Sequence, residues 1–280
     1  MQRGRMLSWF VVWSVAALCC VTLHGVEAMT LKIMTYNIHH GADVRDRVDL
    51  ERVVQTLRVH VPDVVFLSEV DQYWYRSGLV DQPAVLSQAA GMPFHHYAPA
   101  LVTSSFAVTL PGRQARYGNL FLSVRPLFHA SSAPLPRLGN NEPRNVLWVD
   151  LPFHGGLLIR IYGTHLSVDA KERSEQLSAL GQLLAASPHP AIVVGDFNSP
   201  PDRLKHEAPY LWSSPWHDAH TVIGTGPGFT FPTPAPTSRI DYIFVHETLL
   251  PYLRSIATPY SPASDHLPVI VELSVDPSAD

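Results

Sequence analysis

Apolar residues along the chain fall into short runs, and many of these runs end on a polar side chain. Leu31 to Tyr36 alternates as a strand does and stops at Asn37. Val64–Leu67 leads into Ser68-Glu69-Val70-Asp71, Leu157–Tyr162 into Gly163-Thr164-His165, and Ile192–Val194 into Gly195-Asp196-Phe197-Asn198. Phe94–Leu101, Tyr117–Ser123, Asn145–Leu151, Arg239–Val245 and Leu267–Leu273 complete the predicted strands, the last preceded by Ser264-Asp265-His266. Helical spacing marks Asp49–Val59, with Leu50, Val53, Val54 and Leu57 at i, i+3, i+4 and i+7, and a shorter stretch at Pro83–Ala90. The strongest helix is Ala170–Ala185, with Leu177, Leu180, Leu183 and Leu184 on one face and Glu172, Arg173 and Glu175 off it. Thr103–Arg116 has no period and reads as a surface loop. Strands separated sometimes by helices and sometimes by turns predict an α+β domain, two stacked sheets with helices outside.

The strand endings carry the candidate chemistry. If the Ile192 strand continues two residues past Gly195, Asp196 and Asn198 project from one side and Phe197 packs on the other. A turn is the competing reading, since Asp, Asn, Ser and two prolines from Asp196 to Pro201 also make a strand exit. Any single acid such as Glu69 is ordinarily a solvated loop residue. Asn37, Glu69, His165, Asp196, Asn198, Asp241 and His266 nevertheless all sit at or beside apolar strands. Strand ends of a layered fold can converge on one edge.

Composition narrows the picture. Two arginines precede the apolar run Met6–Leu23, and Val26-Glu27-Ala28 puts small residues at −3 and −1 of a cleavage site. Residues 1–28 therefore read as a signal peptide, or as an uncleaved anchor since the run reaches spanning length, with the domain at 29–280. Either way the domain is exported, to a periplasmic or extracellular location. Cys19 and Cys20 both lie in that segment, so residues 29–280 hold no disulfide or thiol chemistry. Net charge is −4 and the only lysines are Lys32, Lys171 and Lys205, which weighs mildly against a long polyanion as partner. The 25 prolines favour strands and turns over a helical bundle.

Tyr36-Asn37, Ser68-Glu69-Val70, Gly163-Thr164-His165-Leu166, Gly195-Asp196-Phe197-Asn198, Arg239-Ile240-Asp241-Tyr242 and Ser264-Asp265-His266 occur in this order. The ordered set resembles the endonuclease/exonuclease/phosphatase family, which includes pancreatic-type DNases, apurinic endonucleases, bacterial sphingomyelinases and inositol polyphosphate 5-phosphatases. The resemblance spans Leu31 to Leu273 and implies a four-layer α/β/β/α sandwich of two mixed sheets. It also implies that Glu69, with Asn37 and Asp265, holds Mg²⁺, for which Mn²⁺ is a substitute. Asp196 resembles the residue that orients or deprotonates the attacking water, Asn198 a phosphate donor, and His165 a phosphate ligand or leaving-group acid. His266 with Asp241 resembles the family's oriented imidazole. Whether Asp196 or His266 takes the proton stays open. Tyr117, Asn119 and Arg144 match positions that contact phosphate more loosely. His39, followed by His40, stands where apurinic endonucleases carry an acid. The pair could touch phosphate or a softer metal, or be a hydrogen-bonded loop feature.

The motif wording resembles a secreted bacterial branch. That favours a lipid headgroup or small phosphoester as substrate over nucleic acid, with a secreted nuclease and a non-catalytic binding module as alternatives. Tyr73-Trp74-Tyr75 and Tyr210-Leu211-Trp212 could touch a membrane surface, although packing against the sandwich is the plainer reading. His95-His96 reads as structural. A monomer without protein partners is expected.

Overall fold

A computed structural model of the chain describes residues 30–275. From edge to edge, the first sheet comprises Leu253–Ala257 (β11), Val269–Ser274 (β12), Thr30–Asn37 (β1), Val64–Gln72 (β2), Ala115–Ser123 (β4) and Phe94–Thr103 (β3). The second comprises Phe128–Pro134 (β5), Asn145–Pro152 (β6), Leu158–His165 (β7), Ala191–Asp196 (β8), Asp241–His246 (β10) and Trp216–Asp218 (β9). Each sheet has one parallel pair near its centre, β1–β2 and β7–β8. Helices Leu50–His60 (α1) and Ala170–Ala185 (α3) make the respective crossovers. The remaining pairings are antiparallel.

Alternation along the strands sorts the apolar residues into layers. Ile33, Phe66, Ile161, Ile192, Val194 and Ile243 fill the gap between the sheets. Met34, Val65 and Leu67 turn outward onto Val53, Val54 and Leu57 of α1. Val193 and Phe244 turn outward onto Leu177, Leu180 and Leu184 of α3. The result is the four-layer sandwich that the motif order implies. Helix α1 starts where Asp49 accepts a hydrogen bond from the Glu51 N–H, and α3 where Asp169 accepts one from the Glu172 N–H. Helix α2, at Gln82–Ala90, lies on the same outer side as α1.

Several expectations need correcting. Strands β5, β9 and β11 were not predicted; β5 is an edge strand, exposed along nearly its whole length, so it carries no alternation to detect. Helices Pro201–Glu207 (α4) and Ala219–Ile223 (α5) are too short for a periodic signal. Strand β7 continues past Tyr162 to His165, because Gly163, Thr164 and His165 still pair with Val194, Gly195 and Asp196. Glu172 and Arg173, placed off the apolar face of α3, are fully buried. Trp212 packs against Tyr242 and Phe244, and the Trp74 indole N–H donates to the Arg116 carbonyl. Among the described residues no helix is long and apolar enough to cross a membrane; the expected signal or anchor segment, 1–28, lies outside them.

Candidate active site

The same alternation that builds the core also loads the site. Leu31 and Ile33 of β1 face the second sheet, so Asn37 does too. By the same parity Asp196 follows Ile192 and Val194, Asp241 precedes Ile243 and Val245, and His165 follows Ile159 and Ile161. Where the apolar filling stops, four polar side chains enter one gap. Glu69 is out of step with Val64 and Phe66 and would point to the helix side. A register shift between Leu67 and Val70, with Glu69 at φ 61°, re-aims it toward Asn37. His39, His40 and Asn198 also adopt positive φ (45°, 44° and 49°), so strained backbone gathers around this edge.

Two glycines allow close packing here, Gly163 between the sheets and Gly195 between neighbouring strands of the second sheet. A methyl at Gly163 would lie 2.1 Å from the Phe66 ring across the gap, and one at Gly195, which has φ 144°, would lie 1.9 Å from the Thr164 carbonyl oxygen.

Asn37 links the two sheets. Its Nδ2 donates to Glu69 Oε1 and to Asp196 Oδ2, both at 3.0 Å, and its Oδ1 accepts from the His39 N–H. Asp196 Oδ1 accepts from the Asn198 N–H, while Oδ2 lies 3.5 Å from His165 Nε2 and 3.7 Å from His266 Nε2. His266 Nδ1 is 2.8 Å from Asp241 Oδ2. Strand β8 ends at Asp196, so Asn198 reaches the site from a left-handed turn and not from a continued strand. Its Nδ2 donates to the Leu166 carbonyl and lies 3.1 Å from His165 Nε2. The stretch is a turn, and that turn brings Asn198 beside His165 in the same gap as Asp196. Phe197 packs as expected, against Tyr242 and Phe244.

Burial sets the protonation. It pushes Asp196 up, to about 7, with the Asp241 charge adding to the effect. Burial alone would lower His266, but Asp241 and Asp196 outweigh it and raise the imidazole to about 10. His266 is therefore a cation at neutral pH. Burial, then Arg144 and His266, hold His165 well below the usual histidine range, so it is neutral. Arg144 Nη1 lies 3.0 Å from His165 Nδ1. A guanidinium can only donate, so Nδ1 accepts from Arg144, while Nε2 faces both the Asn198 amide nitrogen and Asp196 Oδ2.

Arg144 also pairs with Glu142 at 2.6 Å. Tyr117 is buried near Glu69, Glu142 and Arg144, and burial pushes its hydroxyl well above the normal phenol value. Asn119 is one step removed: its Nδ2 donates to Asn145 Oδ1 at 2.7 Å, beneath the groups just described. Glu142, Asn145 and Arg76, whose guanidinium lies over Trp74 and Tyr117, were not singled out in the sequence. Only the neighbourhood of Arg144 hinted at Glu142.

One donor atom each of His39, His40 and Glu69 lie within 4.8 Å of one another, and the Nδ1 atoms of both histidines are buried without a partner. Burial, then Arg76 and His39, lower His40 to about 3, keeping its lone pair free. Asp265 Oδ1 is 3.9 Å from His39 Nδ1. Such donors fit a divalent cation. The sequence left the role of His39-His40 open, and the fold sets the pair beside Glu69.

A cation niche next to a buried carboxylate flanked by two imidazoles suits water attack on a phosphate ester, and the class is that of metal-dependent phosphoester hydrolases. The chain belongs to the Endonuclease/Exonuclease/phosphatase family, whose profile matches residues 34–266. It is similar to an endonuclease/exonuclease/phosphatase from Beutenbergia cavernae (25% identity, TM-score 0.70, covering 88% of this chain and 72% of that one). It shares its fold with the catalytic domain of human Nocturnin (20% identity, TM-score 0.64, coverage 87% and 92%). The mannosyl-6-phosphatase of Bacteroides thetaiotaomicron also shares it (17% identity, TM-score 0.63, coverage 88% and 100%). No curated protein matches the sequence significantly.

Proposed function

We propose that the protein hydrolyses a phosphodiester, and secondarily a phosphomonoester, of a lipid headgroup or other small molecule outside the cytoplasm. The observation that carries this reading is Asp196: a buried carboxylate with one oxygen facing both His165 and His266 and tied by Asn37 to Glu69. Asp196 accepts the proton of the attacking water at Oδ2, since His266 is already protonated and has no lone pair to offer. His266 Nε2–H donates to phosphate or leaving-group oxygens, His165 lines the same gap as a neutral imidazole, and Asn198 steadies a further oxygen. Asp241 holds the His266 ring and stabilises its charge. Tyr117 and Arg144 bound the phosphate on the Glu69 side.

Glu69, with Asn37, His39, His40 and Asp265 around it, would hold the metal. When bound, the metal supplies charge neutralisation on a non-bridging oxygen. Mg²⁺ is the metal proposed on the carboxylate and carboxamide donors, and the two imidazoles favour Mn²⁺ as its substitute. A small substrate is supported by the acidic net charge and by kinship of fold with a mannosyl-6-phosphatase. Export rests on the Met6–Leu23 run and the Val26-Glu27-Ala28 site.

The test is hydrolysis by the purified protein of bis-p-nitrophenyl phosphate, p-nitrophenyl phosphate, phospholipid vesicles and plasmid DNA, with Mg²⁺, Mn²⁺ or EDTA. Metal-dependent turnover that is lost in Glu69→Ala supports the reading. DNA as the best substrate would replace it with a nuclease.

A further inference from the structure

An open groove of about 520 Å³ lies beyond the Glu69 end of β2, lined by Tyr73, Ser104, Arg113, Gln114 and Arg116 among others. We propose that it is a second anion site, which takes a phosphate group carried by the substrate at a distance from the scissile one. The inference rests on the phosphoesterase reading and adds a substrate feature to it.

Charge singles the groove out. The arginines nearest the catalytic carboxylates are neutralised, Arg76 by Asp71 and Arg144 by Glu142. Among the described residues neither Arg113 nor Arg116 has a carboxylate within 4.0 Å. Both are held by neutral groups instead. Arg116 Nη1 donates to Gln72 Oε1 at 2.9 Å and Nη2 to Gln114 Oε1 at 3.1 Å. The Arg113 guanidinium lies 4.5 Å from the centre of the Tyr73 ring. The nearby acid, Asp81, keeps its charge but makes its hydrogen bonds to Gln72 Nε2 and the Tyr73 hydroxyl and not to either arginine. Two guanidiniums are thus oriented without a direct ion pair and outnumber the one acid nearby, which is what a phosphate requires.

The groove is also fixed in place. The Tyr75 N–H donates to the Val108 carbonyl, and the Thr109 hydroxyl donates to the Tyr73 carbonyl, tying the 103–114 loop to the end of β2. Gln72 pairs in register with Arg116. Gln72 lies three residues along β2 from Glu69, a strand rise of ~10 Å. A substrate with one phosphate on the Glu69 side of the site and another in the groove spans a distance of that order with a short sugar or alkyl chain. The same chemistry could come from a soluble bisphosphorylated ester or from a phosphorylated lipid headgroup.

The experiment uses the full chain and Arg113→Ala/Arg116→Ala, with Arg113→Ala as the milder second variant because this residue is exposed. Two chromogenic diesters are compared: p-nitrophenyl hexyl phosphate with and without a terminal phosphate on the hexyl chain. Wild type should prefer the phosphorylated ester through KM, and the double variant should raise that KM roughly 10–100-fold, the range for hydrogen bonds to a charged partner. Both variants should leave the plain ester unchanged. Binding of inorganic phosphate, by calorimetry in EDTA, should weaken similarly in the double variant, a readout that survives if neither ester is turned over. Arg-dependent sedimentation with phosphatidylcholine vesicles carrying phosphatidic acid would assign the group to a lipid, and its absence beside a KM effect to a soluble ester. Equal KM for the two esters in wild type, or phosphate binding unaltered by the double variant, overturns the proposal. Arg-dependent binding of an oligonucleotide in preference to both esters overturns it in favour of a nucleic-acid track.

Discussion

The molecule contains two buried polar clusters that resemble each other in burial and charge but differ in completeness. In α3, Arg173 is fully buried and every guanidinium nitrogen finds an acceptor: Nε and Nη2 reach Glu207, and Nη1 reaches the Ser167 and Val168 carbonyls. Glu172 and Gln176 are likewise hydrogen-bonded at both polar atoms of their side chains. Around Asp196, by contrast, Asp241 Oδ1, Arg144 Nε, His39 Nδ1 and His40 Nδ1 are buried without partners. A satisfied network fixes the fold, whereas unpartnered polar atoms lining a site are available to a ligand. Burial and charge alone would not have told the clusters apart.

The comparison breaks most sharply at Asp196. Asp196→Asn should cut turnover roughly 10²–10⁴-fold, the span of a positioned base, while the thermal midpoint holds or rises because a buried charge is gone. Unchanged turnover in a folded variant would remove Asp196 from the mechanism. Arg173→Met should do the reverse. It strands Glu207 and should cost about 3–5 kcal/mol in a denaturant titration, with turnover per folded molecule kept. Asn37→Ala, which loosens Glu69 without removing it, should raise the metal concentration for half-maximal activity roughly 10–100-fold. No shift in that metal titration would leave Asn37 as a purely structural link.

The smallest effect is in the pH dependence of stability, and the clusters should act at opposite ends. Burial would raise Glu207, but its hydrogen bonds from Arg173 and Ser199 hold it below the usual glutamate value. Its stabilisation is present above the unfolded pKa and fades as pH falls through the folded one, so acid erodes the Arg173 cluster. His266 is raised to about 10, so its contribution is complete below the unfolded value near 6.5 and fades as pH climbs toward 10. Thermal midpoints of Glu207→Gln and His266→Gln across pH 3–10 would check this. Parallel profiles for both variants would show that the assigned signs are wrong.

Much of this was legible in the sequence because polar residues that end apolar strands inherit the strands' parity. Asn37, His165, Asp196 and Asp241 could be placed from alternation alone, and β1, β2, β8 and α3 were visible in the same pattern. Glu69 could be assigned only by resemblance, since the bulge that turns it inward breaks the parity rule. Arg173 was misplaced outside the core because a helix face reads as polar whether water or Glu207 covers it. The His39-His40 niche depends on two left-handed residues, and the groove at Arg116 on pairing between β2 and a distant strand. Neither leaves a local trace in composition or period.

Gly163 and Gly195 have a consequence for anyone who would evolve this enzyme. A library that randomises the polar residues keeps the scaffold's dimensions, so its members differ in chemistry. A library that touches position 163 forces the layers apart, because a methyl there meets Phe66. One that touches 195 disrupts the β7–β8 pairing beside Asp196, because a methyl there meets the Thr164 carbonyl. Every catalytic group would then remain encoded, but the spacing between Asn37 and Asp196 across the sheets would be lost. The evolvable part of the protein is therefore bounded by two positions that carry no functional group at all.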